Sequence, residues 1–189
     1  MMESNRRHFA LLIAAWLSMA SIMACRHERH PAPEPERAGK NHAVIADWTA
    51  GIVSDRSRLP AKTFALIQDV RAAKHAQFDR IVFEFAPPGI PGYHLAYIDA
   101  PVRECGSGKA VHLPGDGWLM IKFLSARMHR DGSTVTRRSR NLGLPVLLRL
   151  VTTCDFENVV TWVAAVSAPN RFRVLSIENP PRLVIDIRH

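Results

Sequence analysis

The segment Asn179-Pro180-Pro181-Arg182-Leu183-Val184-Ile185-Asp186-Ile187-Arg188-His189 decides how the rest of the chain is read. Its two prolines fix φ and push the residues before them into extended backbone, so no helix starts here. Beyond them Leu183, Ile185 and Ile187 alternate with Arg182, Asp186 and Arg188, the period of a strand with one apolar and one polar face. Left at a sheet edge, a strand of this composition would invite pairing with other chains. The expectation is a β-domain that builds these last residues into a sheet.

Working back along the chain, further extended segments appear at regular intervals. In Phe78-Asp79-Arg80-Ile81-Val82-Phe83-Glu84-Phe85 the apolar Ile81, Phe83 and Phe85 share one face, with Arg80 and Glu84 on the other. Residues 66–71 suggest a strand before it. Pro87, Pro88, Gly89, Pro91 and Gly92 break the chain before it restarts at 93–98, and 118–124, 146–151, 159–166 and 171–177 follow. The segment 159–166 is apolar on both faces, Trp162 included, which places it centrally in its sheet. Short strands, dense Gly and Pro punctuation and little helical periodicity predict an all-β fold, a β-sandwich of two antiparallel sheets occupying 64–189.

The start of the chain reads as an address. Arg6 and Arg7 precede an apolar run from Phe9 to Ala24, 16 residues long, short of the roughly 20 that a spanning helix needs. Residues 1–24 are expected to be a signal peptide. Ile22-Met23-Ala24-Cys25 resembles the bacterial lipoprotein cleavage box, with Cys25 as the lipid attachment site and Met23 bulkier than the usual occupant. The alternative is an uncleaved anchor with an incidental cysteine. Asn5-Arg6-Arg7-His8-Phe9 also resembles a twin-arginine export signal, which leaves the route of export open. Residues 25–63, where Pro31, Pro33 and Pro35 alternate with Ala32, Glu34 and Glu36, read as a disordered tether. Within it, 46–49 and 51–53 carry the first apolar side chains and are candidates to dock on the domain.

Taken in order, Phe78 to Phe85, Pro91-Gly92-Tyr93, Phe156-Glu157-Asn158-Val159-Val160-Thr161-Trp162, Phe172-Arg173-Val174 and Asn179-Pro180-Pro181-Arg182-Leu183-Val184-Ile185-Asp186 resemble the AMIN-like domain of bacterial envelope lipoproteins. That family is related to the AMIN domain, a targeting module attached to some cell-wall amidases and to secretins. The resemblance runs from about Leu66 to the last residue. It implies a β-sandwich without catalytic machinery that associates with the cell wall or its assemblies, and it carries over no binding residues.

Motifs for catalysis are incomplete. Cys105-Gly106-Ser107-Gly108-Lys109-Ala110 lacks the leading glycine and the metal-binding hydroxyl of a phosphate loop and reads as a glycine-rich turn. Ser107 has no Gly-x-Ser-x-Gly frame, and His129-Arg130-Asp131 stands without the other kinase motifs. His75, His94, His112 and His129 are scattered, no His-Glu-x-x-His or Cys-x-x-Cys occurs, and no metal or cofactor is expected. The rival reading is a small envelope hydrolase using loop carboxylates, with Asp99, Glu104, Asp116, Asp155 and Glu157 as candidates.

With Cys25 assigned to lipid, Cys105 and Cys154 form an even pair in an exported, oxidising setting, and both fall in turn-like contexts at strand ends. A disulfide between them would close a loop of about 50 residues and stabilise the fold by about 4 kcal/mol; two free thiols are the alternative. The chain carries a formal net charge of +8. Arg127, Arg130, Arg137, Arg138 and Arg140 crowd a mobile loop whose partners would be anionic headgroups or the carboxylates and phosphates of wall polymers, unless it is only a solvated loop. Export and the lack of interleaved aromatics argue against nucleic acid. If 78–85 and 182–188 are neighbours, Arg80, Glu84 and Arg182 form a polar patch, either an ion pair serving the sheet or a ligand contact. The expectation is a non-catalytic module, exported and lipid-anchored to the bacterial membrane, facing periplasm or exterior, with peptidoglycan or an envelope protein as partner.

Overall fold

In the computed structural model, 44–45, 47–57 and 59–189 are described, all within the compact unit 37–189. The expected signal peptide, Cys25 and most of the expected tether lie outside the described residues. The strands are β1 (Val44–Ile45), β2 (Val53–Asp55), β3 (Ala65–Lys74), β4 (Phe78–Phe85), β5 (Gly92–Ile98), β6 (Gly117–Leu124), β7 (Ala126–Arg127), β8 (His129–Arg130), β9 (Ser133–Thr134), β10 (Ser139–Asn141), β11 (Leu147–Phe156), β12 (Val159–Val166), β13 (Phe172–Ile177) and β14 (Arg182–Arg188).

These strands form two six-stranded sheets, ordered β1-β13-β14-β4-β3-β7 and β10-β11-β12-β6-β5-β2, beside a small β8-β9 pair. All neighbours are antiparallel except β3 and β7. The closing segment behaves as its alternation demands. β14 lies inside the first sheet between β13 and β4, and Leu183, Ile185 and Ile187 are fully buried. β12 is interior to the second sheet, so its apolar character on both faces matches its position.

The inner faces interdigitate as one core. Phe83 of the first sheet meets Phe123 and Trp162 of the second edge to face, with centroids 4.9 and 5.8 Å apart, the tilt that opposes ring edge to ring face. Asp79 lies on the inner face of β4, fully buried, and its Oδ2 accepts the Val146 and Leu147 amides at 2.8 and 2.9 Å. The carboxylate therefore ties the first sheet to the start of β11 in the second. Its Oδ1 lies 3.0 Å from His189 Nε2.

Two crossings close the open sides of the sandwich. On one side β7 pairs with the start of β3 and β10 pairs with β11, so residues 126–141 pass from one sheet edge to the other. The segment expected as a mobile loop thus contains four short strands. On the opposite side β1 pairs with β13, Thr49 exchanges backbone hydrogen bonds with Phe172 at 2.9 and 2.7 Å, and β2 pairs with β5. Val44–Ile45, Thr49 and Val53–Asp55 of this strap, all within the 25–63 expected as tether, pair with the sheets. The strap runs so close to Gly92 that a Cβ there would stand 2.8 Å from the Ser57 nitrogen, which accounts for glycine in Pro91-Gly92-Tyr93.

Candidate functional site

The site is built on the outer face of the first sheet. Antiparallel register sets Arg80 opposite Asp186, Val82 opposite Val184 and Glu84 opposite Arg182, while Arg173 flanks Asp186 from β13. Asp186 is 0% exposed and holds both neighbours. Arg80 Nε and Nη2 donate to its two oxygens at 2.7 and 3.0 Å, and Arg173 Nε and Nη2 reach Oδ2 at 2.9 and 2.8 Å. The hydrogen bond to Asp186 pushes the Arg80 pKa above its ordinary value against the opposing effect of burial. A carboxylate shut off from water keeps its charge only with such donors around it.

Aromatic rings roof the same end of the face. Arg173 stacks over Trp48 at 4.7 Å and over Phe78 at 5.3 Å, Arg80 over Phe78 at 5.2 Å, and Arg188 over Trp48 at 6.0 Å. His75 stacks on Phe78 with centroids 4.7 Å apart. Each ring face offers negative quadrupole to a guanidinium. At the other end Arg71 bridges Asp69 and Glu84 at 2.9 and 2.8 Å. Its pKa is also pushed up, chiefly by the bond to Glu84.

The structure therefore brings Arg80, Glu84 and Arg182 onto one face but gives two of them other partners. Arg80 serves Asp186, Glu84 serves Arg71, and Arg182 Nε donates to the Pro180 carbonyl at 3.4 Å, its one side-chain partner among the described residues. Sequence reasoning missed Trp48, Arg173 and Arg188 as members of the face. Their signal is positional, because it depends on the strap reaching β13.

The arginine-rich crossing is less uniform than its sequence. Arg140 is partly buried, with Nη2 3.9 Å from Asp69, and Arg138 lies 3.8 Å from Asp155. Arg127, Arg130 and Arg137 are exposed, with no ion pair among the described residues. Asp155 is committed inward, accepting the Met128 amide and lying 3.4 Å from His129 Nδ1.

Cys105 and Cys154 are joined, with Cα atoms 5.2 Å apart. Cys154 lies inside β11 and not at a strand end, because a bulge after Thr152 lets the strand run on to Phe156 and turns Cys154 to the outer face. The disulfide pins residues 99–116 over the second sheet, where Val102, Val151 and Val163 make a small separate core with Ile98 and Trp118. The glycine-rich run is a tight turn, with the Glu104 amide donating to the Lys109 carbonyl and Ser107 Oγ to Glu104.

A groove of about 400 Å³ lies at one end of the sandwich, lined by Asp55, Leu59, Pro91, Tyr93, Glu178 and Pro181 among others. The Pro91-Gly92-Tyr93 and Asn179-Pro180-Pro181 segments converge there. None of Asp99, Glu104, Asp116, Asp155 or Glu157 lines it, nor the smaller one beside the disulfide. Among the described residues no three His, Cys, Asp or Glu side chains are grouped to hold a metal ion.

Fold and face together define an all-β module of two antiparallel sheets with a cation- and aromatic-rich outer surface. A family model described as the AMIN-like domain matches residues 65–189, and the chain belongs to that family. No curated protein and no solved structure matches it. AMIN-like domains are binding modules of cell-envelope proteins.

Proposed function

We propose that the protein is a non-catalytic envelope-binding module, held to the membrane by lipid on Cys25, and that the outer face of its first sheet contacts peptidoglycan or an envelope protein associated with it. Family membership gives the class, and the single observation that carries the choice of face is the Trp48, Phe78, Arg173 and Arg188 array. Planar rings present flat apolar surface to sugar C–H groups. The exposed arginine fork of Arg188 suits the carboxylates of stem peptides.

Retention on purified sacculi tests the contact. The wild-type protein is expected to be retained, and Trp48→Ala with Arg188→Ala to lower retention about tenfold, the effect of roughly 1.4 kcal/mol of lost contact. Absence of wild-type retention would shift the partner to a protein. Palmitate labelling that disappears in Cys25→Ala tests the anchor.

A further inference from the structure

A second surface lies on the other side of the molecule, and its composition differs from that of the first. Among the described residues, three of the five large exposed hydrophobics gather around one corner: Phe156 at 65%, Leu124 at 43% and Phe64 at 38% exposure. Register explains the gathering. Phe156 stands opposite Val159 and Val159 opposite Leu124, so these three form a row across the outer face of the second sheet. The Ala65 amide donates to the Ser125 carbonyl at 2.9 Å, which brings Phe64 to the same corner. The Ala126 amide donates to the Asn158 carbonyl at 2.9 Å, which fastens the β11–β12 turn beside it.

That turn is an exposed hairpin tip. Glu157 and Asn158 both have positive φ, 49° and 61°, the geometry of a two-residue connection whose twist matches its strands. Phe156 is thus carried outward on a rigid element. The unpaired Arg127, Arg130 and Arg137 lie in the crossing that begins at this corner. Of the nearby carboxylates, Asp155 is 5% exposed and faces inward, while Asp131 and Glu157 are exposed.

We infer that this corner is a docking surface for an anionic lipid bilayer, with Phe156 and Leu124 entering the headgroup region and Arg127, Arg130 and Arg137 meeting lipid phosphates. An exposed hairpin tip carrying apolar side chains beside cations that have no ion pair among the described residues is the arrangement an interface rewards, since apolar burial and headgroup attraction act together. The point where the chain enters the fold agrees. Val44 pairs with Ser176, which lines the same end groove as Tyr93, and Gly92 beside Tyr93 pairs with Leu124. From Cys25 to Val44 the chain can span at most about 65 Å. If Cys25 carries lipid, a support that rests on the anchor reading, the corner and the anchor reach the same bilayer.

The test uses residues 37–189, the unit that holds the whole core, so that lipid on Cys25 plays no role. Sedimentation with phosphatidylcholine vesicles is compared with sedimentation with vesicles that also contain phosphatidylglycerol, at low and high salt. The expected result is binding that requires phosphatidylglycerol, falls about tenfold or more in Phe156→Asp with Leu124→Asp, and is lost in Arg127→Glu with Arg130→Glu and Arg137→Glu. Phe156→Leu keeps binding, and circular dichroism verifies that each variant is folded. No binding to anionic vesicles, or binding indifferent to Phe156→Asp with Leu124→Asp, overturns the proposal. So does retention on sacculi that depends on these side chains without vesicle binding, which would assign the corner to a wall polymer. Loss of palmitate labelling leaves this outcome untouched, so the two readings fail separately.

Discussion

On the outside of the first sheet, polar side chains cover the surface themselves: Asp186 is shut from solvent by Arg80 and Arg173, and these are roofed by Trp48 and Phe78. On the outside of the second sheet, half the surface is covered by irregular chain bolted down through Cys105–Cys154, and the other half shows Phe156 and Leu124 to solvent. One face is held by charge satisfied within the sheet, the other by a covalent clasp over a small apolar core. The two should fail differently under stress, and a ligand would meet different chemistry on each.

The largest effect is expected from Cys105→Ser with Cys154→Ser, which reopens a loop of about 50 residues and should lower unfolding free energy by about 4 kcal/mol in denaturant titration. Amide exchange should quicken in 99–116 while the first sheet keeps its protection; equal loss on both faces would break the comparison. Asp186→Ala should cost about 2–3 kcal/mol, because Arg80 and Arg173 lose a shared acceptor but, at 31% and 24% exposure, recover water.

A smaller effect is expected at alkaline pH. Burial pushes the Tyr97 phenol up to about 12, and its hydroxyl donates to the Asn170 carbonyl at 2.6 Å. A pKa raised by folding means that the stabilisation is complete below the ordinary value of 10 and is lost as pH climbs through about 12. Absorbance at alkaline pH should show a phenol ionising near 12 that Tyr97→Phe removes. The smallest change is expected from Arg71→Ala, an ion pair at 49% exposure that should contribute less than about 1 kcal/mol.

Alternation made the main strands legible, because a buried inner face imposes period two on 78–85 and 182–188 whatever their partners. It also put Arg80, Glu84 and Arg182 on one face. Their partners were not legible: that Arg80 meets Asp186, 106 positions away, depends on register, which no local pattern states. Phe78-Asp79-Arg80 shows the same limit, since period two sets Asp79 in phase with Ile81 and Phe83 but does not say that the Val146 and Leu147 amides meet it there. The strap showed only as apolar side chains at 46–49 and 51–53 that could dock, because strands of two and three residues are too short to show a period. The crossing 126–141 declared its charge but not its shape for the same reason. Residues 99–116 have no periodicity at all, and only the cysteine pairing hinted that they were fixed.

The strap also determines how the molecule carries load. Any pull arriving from upstream of Val44 acts first on the two rungs to β13, Val44 to Ser176 and Ile45 to Leu175, then on the bridge at Thr49. Those rungs lie at the sheet margin and open in succession, as a zipper does, whereas β14 and β4 behind them are gripped along their whole length. Traction therefore spends itself in freeing a short length of backbone and slackening the line, and the hydrophobic interior stays shut.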